Sequence, residues 1–307
     1  MYTYKSLKDS HPKSADRLSF IDFMLKFTGI IRRADISDMF NLSDAASSKI
    51  LSEYSELCPK NIEYNRSVRA NAIVRDSYKS LLEFNADTAL GMLANGFNKN
   101  KLSSPNKTTI PFERIGQIPN NLETESIAKI TRAINGKYAI TCCYESEHSS
   151  NHEERVIVPL AIMHDGTNWM FRGFHRNSPS SVSYKIFHFS RAKNVIEHFN
   201  QKKYKGTSEE TLESDKEWNL ILPLQLKIHK DRDEKDAMRI RTDFGIEDGS
   251  NELTIFIRAA LLWLVERKWF IDKEAHKQDF KKKGNKQFYN FQLLNADMIE
   301  LVKESNR

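Results

Sequence analysis

Residues 33–57 have the sequence RADISDMFNLSDAASSKILSEYSEL, and this stretch decides the fold. Ile36, Met39 and Phe40 recur at helical spacing, which predicts one apolar face on a first short helix. Ser43 follows a turn and can cap a second helix, because its hydroxyl can accept a hydrogen bond from the first helical turn. The stretch therefore predicts two short helices joined by a tight turn.

The second helix has two dissimilar sides. Its predicted buried stripe, at helical spacing, is Ala46, Ile50, Tyr54 and Leu57. The opposite side is small and polar, which suits a helix that enters a DNA major groove about 12 Å wide. The candidate DNA contacts on and beside this side are Ser43, Asp44, Ala45, Ser47, Ser48, Lys49 and Ser52. An ordinary surface helix facing water is the alternative that this segment alone leaves open.

A β-hairpin is predicted directly after these helices. Residues 61–64 alternate like a strand, residues 65–67 favour a turn, and residues 68–74 can return as a second strand. Arg66 and Arg69 fall on this hairpin, where the phosphates would lie in a docked winged domain. Each cation taken singly could instead be an ordinary solvated loop residue. Together the helices and hairpin predict a winged helix-turn-helix.

Length and composition limit the class of protein. The chain has 307 residues, 39% of them hydrophobic, which is typical of a folded protein. Its formal net charge of +6 weakly favours polyanionic partners. No apolar run approaches the roughly 20 residues that span a bilayer, and the first residues lack the apolar core of a signal peptide. We therefore expect a cytoplasmic protein without a membrane partner. Cys58, Cys142 and Cys143 are expected to be reduced.

The elements around the winged segment complete a predicted first domain, residues 1–95. Residues 1–14 are polar and predicted to form a frayed arm, whereas residues 15–27 and 76–93 have helical apolar spacing. Residues 96–122 are rich in Gly, Pro, Ser and Asn and are the predicted linker.

A small β-domain is predicted over residues 123–200. A short helix at 123–134 precedes strands at 138–145, 155–163, 168–175 and 183–191. With one more short strand, these strands would form a strongly bent, five-stranded antiparallel barrel.

Two of these strands mix cations with aromatic residues. Alternation places Met170, Arg172 and Phe174 on one side of their strand. It likewise groups Phe187, Phe189 and Arg191 on one side of the next strand. Arginine can pair with phosphate and stack on a base, so the mixture favours an anionic, partly aromatic ligand. Surface ion pairs and ordinary core aromatics are the alternative interpretation.

Residues 201–307 are predicted to form an α+β domain. Strands at 220–228, 253–257 and 287–294 alternate with helices at 231–244 and 258–271, an order of roughly ferredoxin-like length. The lysine-rich segment around residues 281–283 is interpreted as a solvated loop.

Several segments in this order resemble the WYL-domain transcriptional regulators, specifically the group associated with BREX and other anti-phage defence islands. In the winged domain the similar segments are residues 40–48 and 61–64. In the β-domain they are residues 144–146, 155–159, 165–172 and 187–191, and in the last domain they are residues 218–228 and 291–295. The family's naming tripeptide is replaced here by Trp169-Met170-Phe171, and Ala46 and Ile50 differ from residues common in its recognition helix.

The resemblance implies an α+β multidomain fold: a winged helix-turn-helix, a central Sm-like small β-barrel and a C-terminal extension. It also implies a homodimer on inverted-repeat DNA, with the barrel sensing a nucleotide or nucleic-acid effector. By resemblance, the sensing surface includes Tyr144, Ser146, Trp169, Arg172 and Arg191. The aromatic alternation adds Phe174 and Phe189 to this candidate effector set.

No enzyme motif is evident. Neither a nucleotide-binding Gly-rich loop nor a nucleophile elbow nor a metalloprotease motif occurs in the sequence. His148 and His152 lie four residues apart in a polar loop, which we interpret as solvated, not as part of a zinc site. We therefore expect neither a metal nor another cofactor.

The leading hypothesis is a dimeric repressor of a phage-defence operon that binds operator DNA through its winged domain and an effector through its barrel. The alternative hypothesis is an RNA- or single-stranded-DNA-binding protein that uses the barrel as its main binding surface.

Overall fold

A computed structural model describes residues 1–103, 110–111, 121–146, 154–178, 182–273 and 289–305. The chain divides into two compact units, residues 1–210 and 211–307. Within the described ranges, no helix is long and apolar enough to cross a membrane.

The first unit begins with a winged helix-turn-helix. Its helices are α1 (Tyr4–Ser10), α2 (Ala15–Thr28), α3 (Arg33–Phe40), α4 (Asp44–Leu57) and α5 (Ala86–Asn95). Its strands are β1 (Ile30–Ile31), β2 (Ile62–Asn65) and β3 (Ala70–Ile73), which form an antiparallel sheet in the order β1-β3-β2. The predicted helices at 15–27 and 33–40 and the predicted wing are therefore confirmed.

Two predictions for the flanks of this domain are wrong. Residues 1–14 are not frayed, because α1 buries Leu7 completely. The helix predicted from residue 76 begins only at Ala86, where the Asn85 side chain caps the backbone N–H of Thr88. The residues before it are extended instead, because Tyr2 exchanges backbone hydrogen bonds with residues 81 and 83. A long-range pairing thus overrides the local helical spacing.

A buried carboxylate joins these elements. Asp22, in α2, has no solvent exposure. Its side chain accepts hydrogen bonds from the Tyr54 hydroxyl of α4 at 2.7 Å and from the Tyr78 hydroxyl at 2.8 Å. It also accepts from the Ser80 hydroxyl at 3.0 Å and the Leu82 backbone N–H at 2.9 Å. Four donors from two separate parts of the chain therefore converge on one side chain.

Asn61 extends this network to the base of the wing. Its side-chain amide donates to the Tyr54 hydroxyl at 3.2 Å and to the Lys79 carbonyl at 2.6 Å. Its side-chain oxygen accepts from the Lys79 N–H at 2.9 Å. The wing is thereby tied both to α4 and to the segment that follows it.

Part of the predicted linker is packed against the winged domain. The Phe97 ring lies 5.1 Å from the ring of Phe20 and 5.4 Å from that of Phe23, centroid to centroid, both in α2. Residues 104–109 and 112–120 of the linker prediction lie outside the described residues.

The rest of the first unit is a helix and a five-stranded antiparallel sheet. The helix is α6 (Thr124–Gly136), and the strands are β4 (Ile140–Tyr144), β5 (Glu154–His164), β6 (Trp169–His175), β7 (Tyr184–His188) and β8 (Ala192–Glu197). The order is β7-β6-β5-β4-β8. Five strands match the prediction, but in the described residues β7 and β8 are edge strands, so closure into an Sm-like barrel stays a prediction.

One hydrophobic core runs through the whole first unit. It includes Phe23 and Phe27 of the winged domain, Ile130 of α6, and Phe171 and Phe187 of the sheet. The winged domain and the sheet therefore do not have separate cores.

The second unit is a mixed α/β layer. Its elements are α7 (Lys216–Asn219), β9 (Ile221–Ile228), α8 (Glu234–Phe244), β10 (Glu252–Arg258), α9 (Leu262–Trp269), β11 (Ile271–Asp272), β12 (Phe291–Leu293) and α10 (Ala296–Ser305). The sheet order is β10-β9-β12-β11. Here β9 and β10, which flank α8, are direct antiparallel neighbours. A ferredoxin-like fold would separate those strands by another strand, so the observed topology differs from that prediction.

Replacing the buried carboxylate tests this architecture. We expect Asp22→Ala to lower the free energy of unfolding by about 3 kcal/mol or more, because it leaves several buried donors unsatisfied. Urea unfolding followed by circular dichroism measures the change. Asp9→Ala, at an exposed position of α1, is the matched control and should change stability by less than about 0.5 kcal/mol. Equal effects of the two substitutions would contradict the role given to Asp22.

Candidate nucleic-acid interface and effector region

The turn before α4 sets the direction of that helix. Helix α3 ends at Asn41, which adopts a left-handed conformation with φ of 50°. Ser43 is extended, and its hydroxyl accepts a hydrogen bond from the Ala46 N–H at 3.3 Å. The cap predicted from the sequence is therefore present.

Most of the predicted DNA-contacting residues of α4 are open to solvent. Ser48 is half-buried, and the exposed members are Ser43, Asp44, Ala45, Lys49 and Ser52. These residues have short side chains except for Lys49, so the surface can approach a base pair closely. We call this surface, including Ser48, the open side of α4.

Ser47 does not belong to the open side, so its prediction as a DNA contact is wrong. It is fully buried, and its hydroxyl lies 2.9 Å from the hydroxyl of Ser37 in α3. The small side chain lets the two helices approach. The predicted stripe is also shifted, since Leu51 is buried whereas Leu57 is 37% exposed. Met39, predicted on the apolar face of α3, is likewise exposed.

The wing presents its arginines at the tip. Ser67 donates from its backbone and its hydroxyl to the Asn65 side chain, at 3.0 and 2.6 Å, which fixes the turn between β2 and β3. Arg69 has a φ of 50° and, like Arg66, is exposed. Both predicted wing arginines are therefore accessible.

A concave groove lies between α4 and the wing. It has a volume of about 640 Å³ and is lined from three sides. The start of α3 contributes Arg32 and Arg33, α4 contributes Ser48 and Ser52 among others, and the wing contributes Tyr64 and Arg69. We call it the recognition groove.

The cations of the recognition groove are exposed. Arg32, Arg33 and Arg69 are all on the surface, and none forms an ion pair with another described residue. Glu56 is the one acidic side chain among the lining residues. Sequence reasoning missed Arg32, Arg33 and Tyr64, although the two adjacent arginines directly before α3 were a usable signal.

The predicted effector residues divide between the two sides of the central sheet. Trp169 and Tyr144 lie on the side of the core aromatics, whereas Arg172 and Phe174 lie on the opposite side. Tyr184 joins the second pair, with its ring 5.1 Å from that of Phe174 and 5.9 Å from the Arg172 guanidinium. The candidate set is therefore not one surface.

Three predicted effector residues are buried or form hydrogen bonds within the protein. The Tyr144 ring is buried, which raises the pKa of its hydroxyl, and this hydroxyl accepts from the His188 N–H at 2.9 Å. Arg172 is only 2% exposed. The Trp169 indole donates to Asp87 of α5 at 2.8 Å, a direct bond from the sheet to the winged domain.

Phe189, predicted as an effector contact, lies in the hydrophobic core. It is 3% exposed, and its ring packs 5.1 Å from that of Phe171 in the core. The alternation predicted through residue 191 fails because β7 ends at His188 and a 3₁₀ turn follows. Arg191 ends this turn and, like Ser146, is half-buried.

An ionic network joins the winged domain to the sheet. Glu197, at the end of β8, receives the Arg132 guanidinium at 2.5 Å and that of Arg75 at 3.2 Å. The Tyr138 hydroxyl donates to the same carboxylate at 2.7 Å, and Arg132 also donates to the carbonyl of Lys26 in α2 at 2.7 Å. Burial alone would raise the pKa of Glu197, but the Arg132 hydrogen bond and the two charges outweigh it and lower the pKa.

His148 and His152, considered above for zinc, lie outside the described residues, as does the lysine-rich segment at 281–283.

The first domain is similar to a known family of DNA-binding domains. A family model described as the BrxR transcriptional regulator winged helix-turn-helix domain matches residues 13–95. A protein of Escherichia coli strain KTE188, "DNA-binding transcriptional repressor CapW", is 27% identical over 249 residues, which are 80% of this chain and 79% of its own. A Pseudomonas aeruginosa protein of the same name is 25% identical over 257 residues, again 80% of this chain and 79% of its own. These matches confirm the resemblance to winged-helix regulators of the WYL type.

Solved structures are less informative. The proteasome accessory factor B/C of Arthrobacter aurescens aligns with 80% of this chain and 41% of its own, at 17% identity and a TM-score of 0.23. That score is too low to support an argument about this chain.

The junction network generates a pH-dependent prediction. Glu197→Gln should lower the free energy of unfolding at pH 7 by about 3 kcal/mol, because it leaves the buried Arg132 and the half-buried Arg75 without their counter-charge. In the native protein this stabilisation is present above the ordinary glutamate pKa of 4.5 and is lost as the pH falls through the lowered folded value. Urea unfolding at several pH values measures both effects. Glu145→Gln, at an exposed position, is the control, and an equal loss in that variant would contradict the assignment.

Proposed function

We propose that the chain is a sequence-specific DNA-binding transcriptional repressor, because residues 13–95 match the family model of the BrxR winged helix-turn-helix domain. The relatives that match most of its length carry that function in their name. The single observation that carries the proposal is the recognition groove, where exposed arginines from two elements border the open side of α4.

Double-stranded DNA is the proposed ligand of this groove. The open side of α4 would enter the major groove, where Ser48, Lys49 and Ser52 can contact base edges or phosphates. The lining arginines Arg33 and Arg69 would contact the DNA phosphates, since neither forms an ion pair with another residue in the described ranges. Glu56 would repel phosphate, so it favours a position facing a base edge that donates a hydrogen bond.

We further propose a homodimer that binds an inverted repeat beside a phage-defence operon. Two-fold symmetry would place two copies of α4 about one helical turn apart, or a multiple of it, on a palindromic operator. The resemblance of the sequence to regulators of anti-phage defence islands supports both the homodimer and the choice of operon.

The sheet of the first unit is the proposed sensor of a nucleotide or nucleic-acid effector. The bond from Trp169 to Asp87 and the shared core support it, because a ligand that shifts β6 would act on the winged domain. Such a ligand changes operator affinity only if it binds the DNA-competent state and the other state with different affinities.

Salt dependence tests the proposed phosphate contacts. Arg69→Ala should weaken binding to operator and to unrelated duplex by a similar factor, and should reduce the slope of log K against log salt by about 1. Fluorescence anisotropy with labelled DNA from upstream of the gene measures both. Lys5→Ala, at an exposed position of α1 that does not line the groove, removes one charge and should leave the slope unchanged. An unaltered slope in the Arg69 variant would exclude this residue from the interface.

Strand preference separates the repressor from a single-strand-binding protein. At fixed salt the chain should bind duplex more tightly than either single strand, and Ser52→Glu should abolish duplex binding because it adds negative charge to the open side of α4. Ser10→Glu, at an exposed position of α1, is the matched control. Preferential binding of single strands that survives Ser52→Glu would favour the sheet as the main nucleic-acid surface instead.

A further inference from the structure

Three basic side chains from neighbouring strands lie at one end of the central sheet. Arg155 is near the start of β5, His175 ends β6, and Lys185 is in β7. In the strand register Ile157 pairs with His175, and Gly173 pairs with Lys185. Alternation therefore places all three basic residues on the same side of the sheet. Each is a diagonal neighbour of the next, about 7–8 Å away.

The surroundings of His175 and Lys185 are electropositive. Burial lowers the pKa of Lys185, and the nearby Arg155 guanidinium lowers it further. Burial lowers the pKa of His175 to about 4, and the charges of Lys185 and Arg155 lower it further, whereas the Asn177 side chain opposes the shift. Among the described residues, no carboxylate contributes to either shift. An anion placed between these groups would relieve their repulsion.

The His175 ring is buried, and the Asn177 side chain beside it is the one described group that raises its pKa. His175 is 3% exposed, and neither Nδ1 nor Nε2 has a hydrogen-bond partner in the described part of the chain. Buried polar atoms are nearly always hydrogen-bonded, and a protonated imidazole offers two N–H donors. The neighbouring Asn177 already uses its side-chain amide on the backbone of Glu154 and Val156. The ring is therefore available to an added hydrogen-bond acceptor.

We propose that Arg155, His175 and Lys185 form a binding site for a phosphate group of the effector, an inference that rests on the sensing role proposed above. Arginine can pair with two phosphate oxygens, lysine supplies a compact charge, and the imidazole supplies an N–H donor.

Neighbouring contacts hold two of these groups in place before a ligand arrives. The Arg155 guanidinium lies 4.7 Å from the centre of the Tyr144 ring. The Lys185 ammonium donates to the Ser178 hydroxyl at 2.9 Å. A site whose side chains are already positioned loses less conformational entropy when it binds.

The site is connected to the winged domain through one strand. His175 ends β6, and Trp169 begins it, with the indole bonded to Asp87 of α5. Phosphate bound at one end of β6 would therefore change the strand whose other end contacts the DNA-binding half of the unit.

Calorimetry on the full chain without DNA tests the site. The probes are inorganic phosphate, thymidine 5′-monophosphate, thymidine, and a thymidine dinucleotide with and without a 5′-phosphate, all at constant ionic strength. We expect thymidine 5′-monophosphate to bind at least about tenfold more tightly than thymidine. The 5′-phosphorylated dinucleotide should likewise bind more tightly than the dinucleotide that carries only its internucleotide phosphodiester. Tighter binding of the mononucleotide or of the 5′-phosphorylated dinucleotide identifies which source of phosphate the site takes.

Matched variants locate the binding. Lys185→Met should weaken phosphate binding at least about tenfold, whereas Lys193→Met should leave it unchanged. Lys193 lies in β8 opposite Cys143 and on the other side of the sheet from Arg155. Because Lys185→Met removes a repelled charge, the variant should remain folded, and thermal unfolding verifies this.

Nuclear magnetic resonance of the histidine rings gives an independent measurement. Saturating phosphate should raise the pKa of His175 above its unliganded value near 4, since the anion offsets the charges of Arg155 and Lys185. His175→Phe assigns the resonance. Equal binding of thymidine and its monophosphate, unchanged binding in Lys185→Met, or an unmoved His175 pKa would each overturn the site. Operator binding measured in parallel separates the two proposals, because intact operator binding without phosphate binding overturns this inference alone.

Discussion

The buried Asp22 carboxylate is the constraint on which the recognition groove depends. A charge removed from water is costly unless hydrogen bonds compensate it, so four donors must converge on this side chain. One of them is the Tyr54 hydroxyl, whose pKa is raised by burial and by Asp22, which keeps it a donor. Because Tyr54 belongs to α4, the bond sets which side of α4 faces the core and which side stays open.

Two groups of arginines in the first unit differ because removing a charge from water is costly. Arg132 is buried and is paired with Glu197, as a desolvated charge must be. Arg33 and Arg69 are exposed and form no ion pair with described residues, so water compensates them. Of these two groups, only the exposed arginines can exchange water for phosphate without breaking an ion pair of the fold. The two groups thus separate the residues that hold the unit together from those that support the proposed contact with DNA.

Several contacts link the two halves of the first unit. A continuous core joins the helices of the winged domain to the sheet, the Glu197 network crosses between them, and Trp169 bonds to Asp87. Close packing makes such a junction respond to small displacements, because a packed core has few alternative arrangements. This coupling supports the proposal that a ligand on the sheet alters DNA binding, since His175 of the proposed phosphate site lies on the strand that carries Trp169.

Local patterns in the sequence determined the wing, most strands of the central sheet, and the helices over residues 15–28, 33–40 and 44–57. These elements could be predicted because helical and strand periodicities, and the Ser43 cap, involve residues that are only a few positions apart. They also identified the open side of α4 and the wing arginines. Tertiary structure alone decided that Ser47 faces α3 while Ser48 borders the groove, since residues at the edge of a helical stripe are buried or exposed according to how two helices cross. It also brought Arg32 and Arg33 beside the wing, because such contacts depend on how distant segments pack, which no local periodicity encodes.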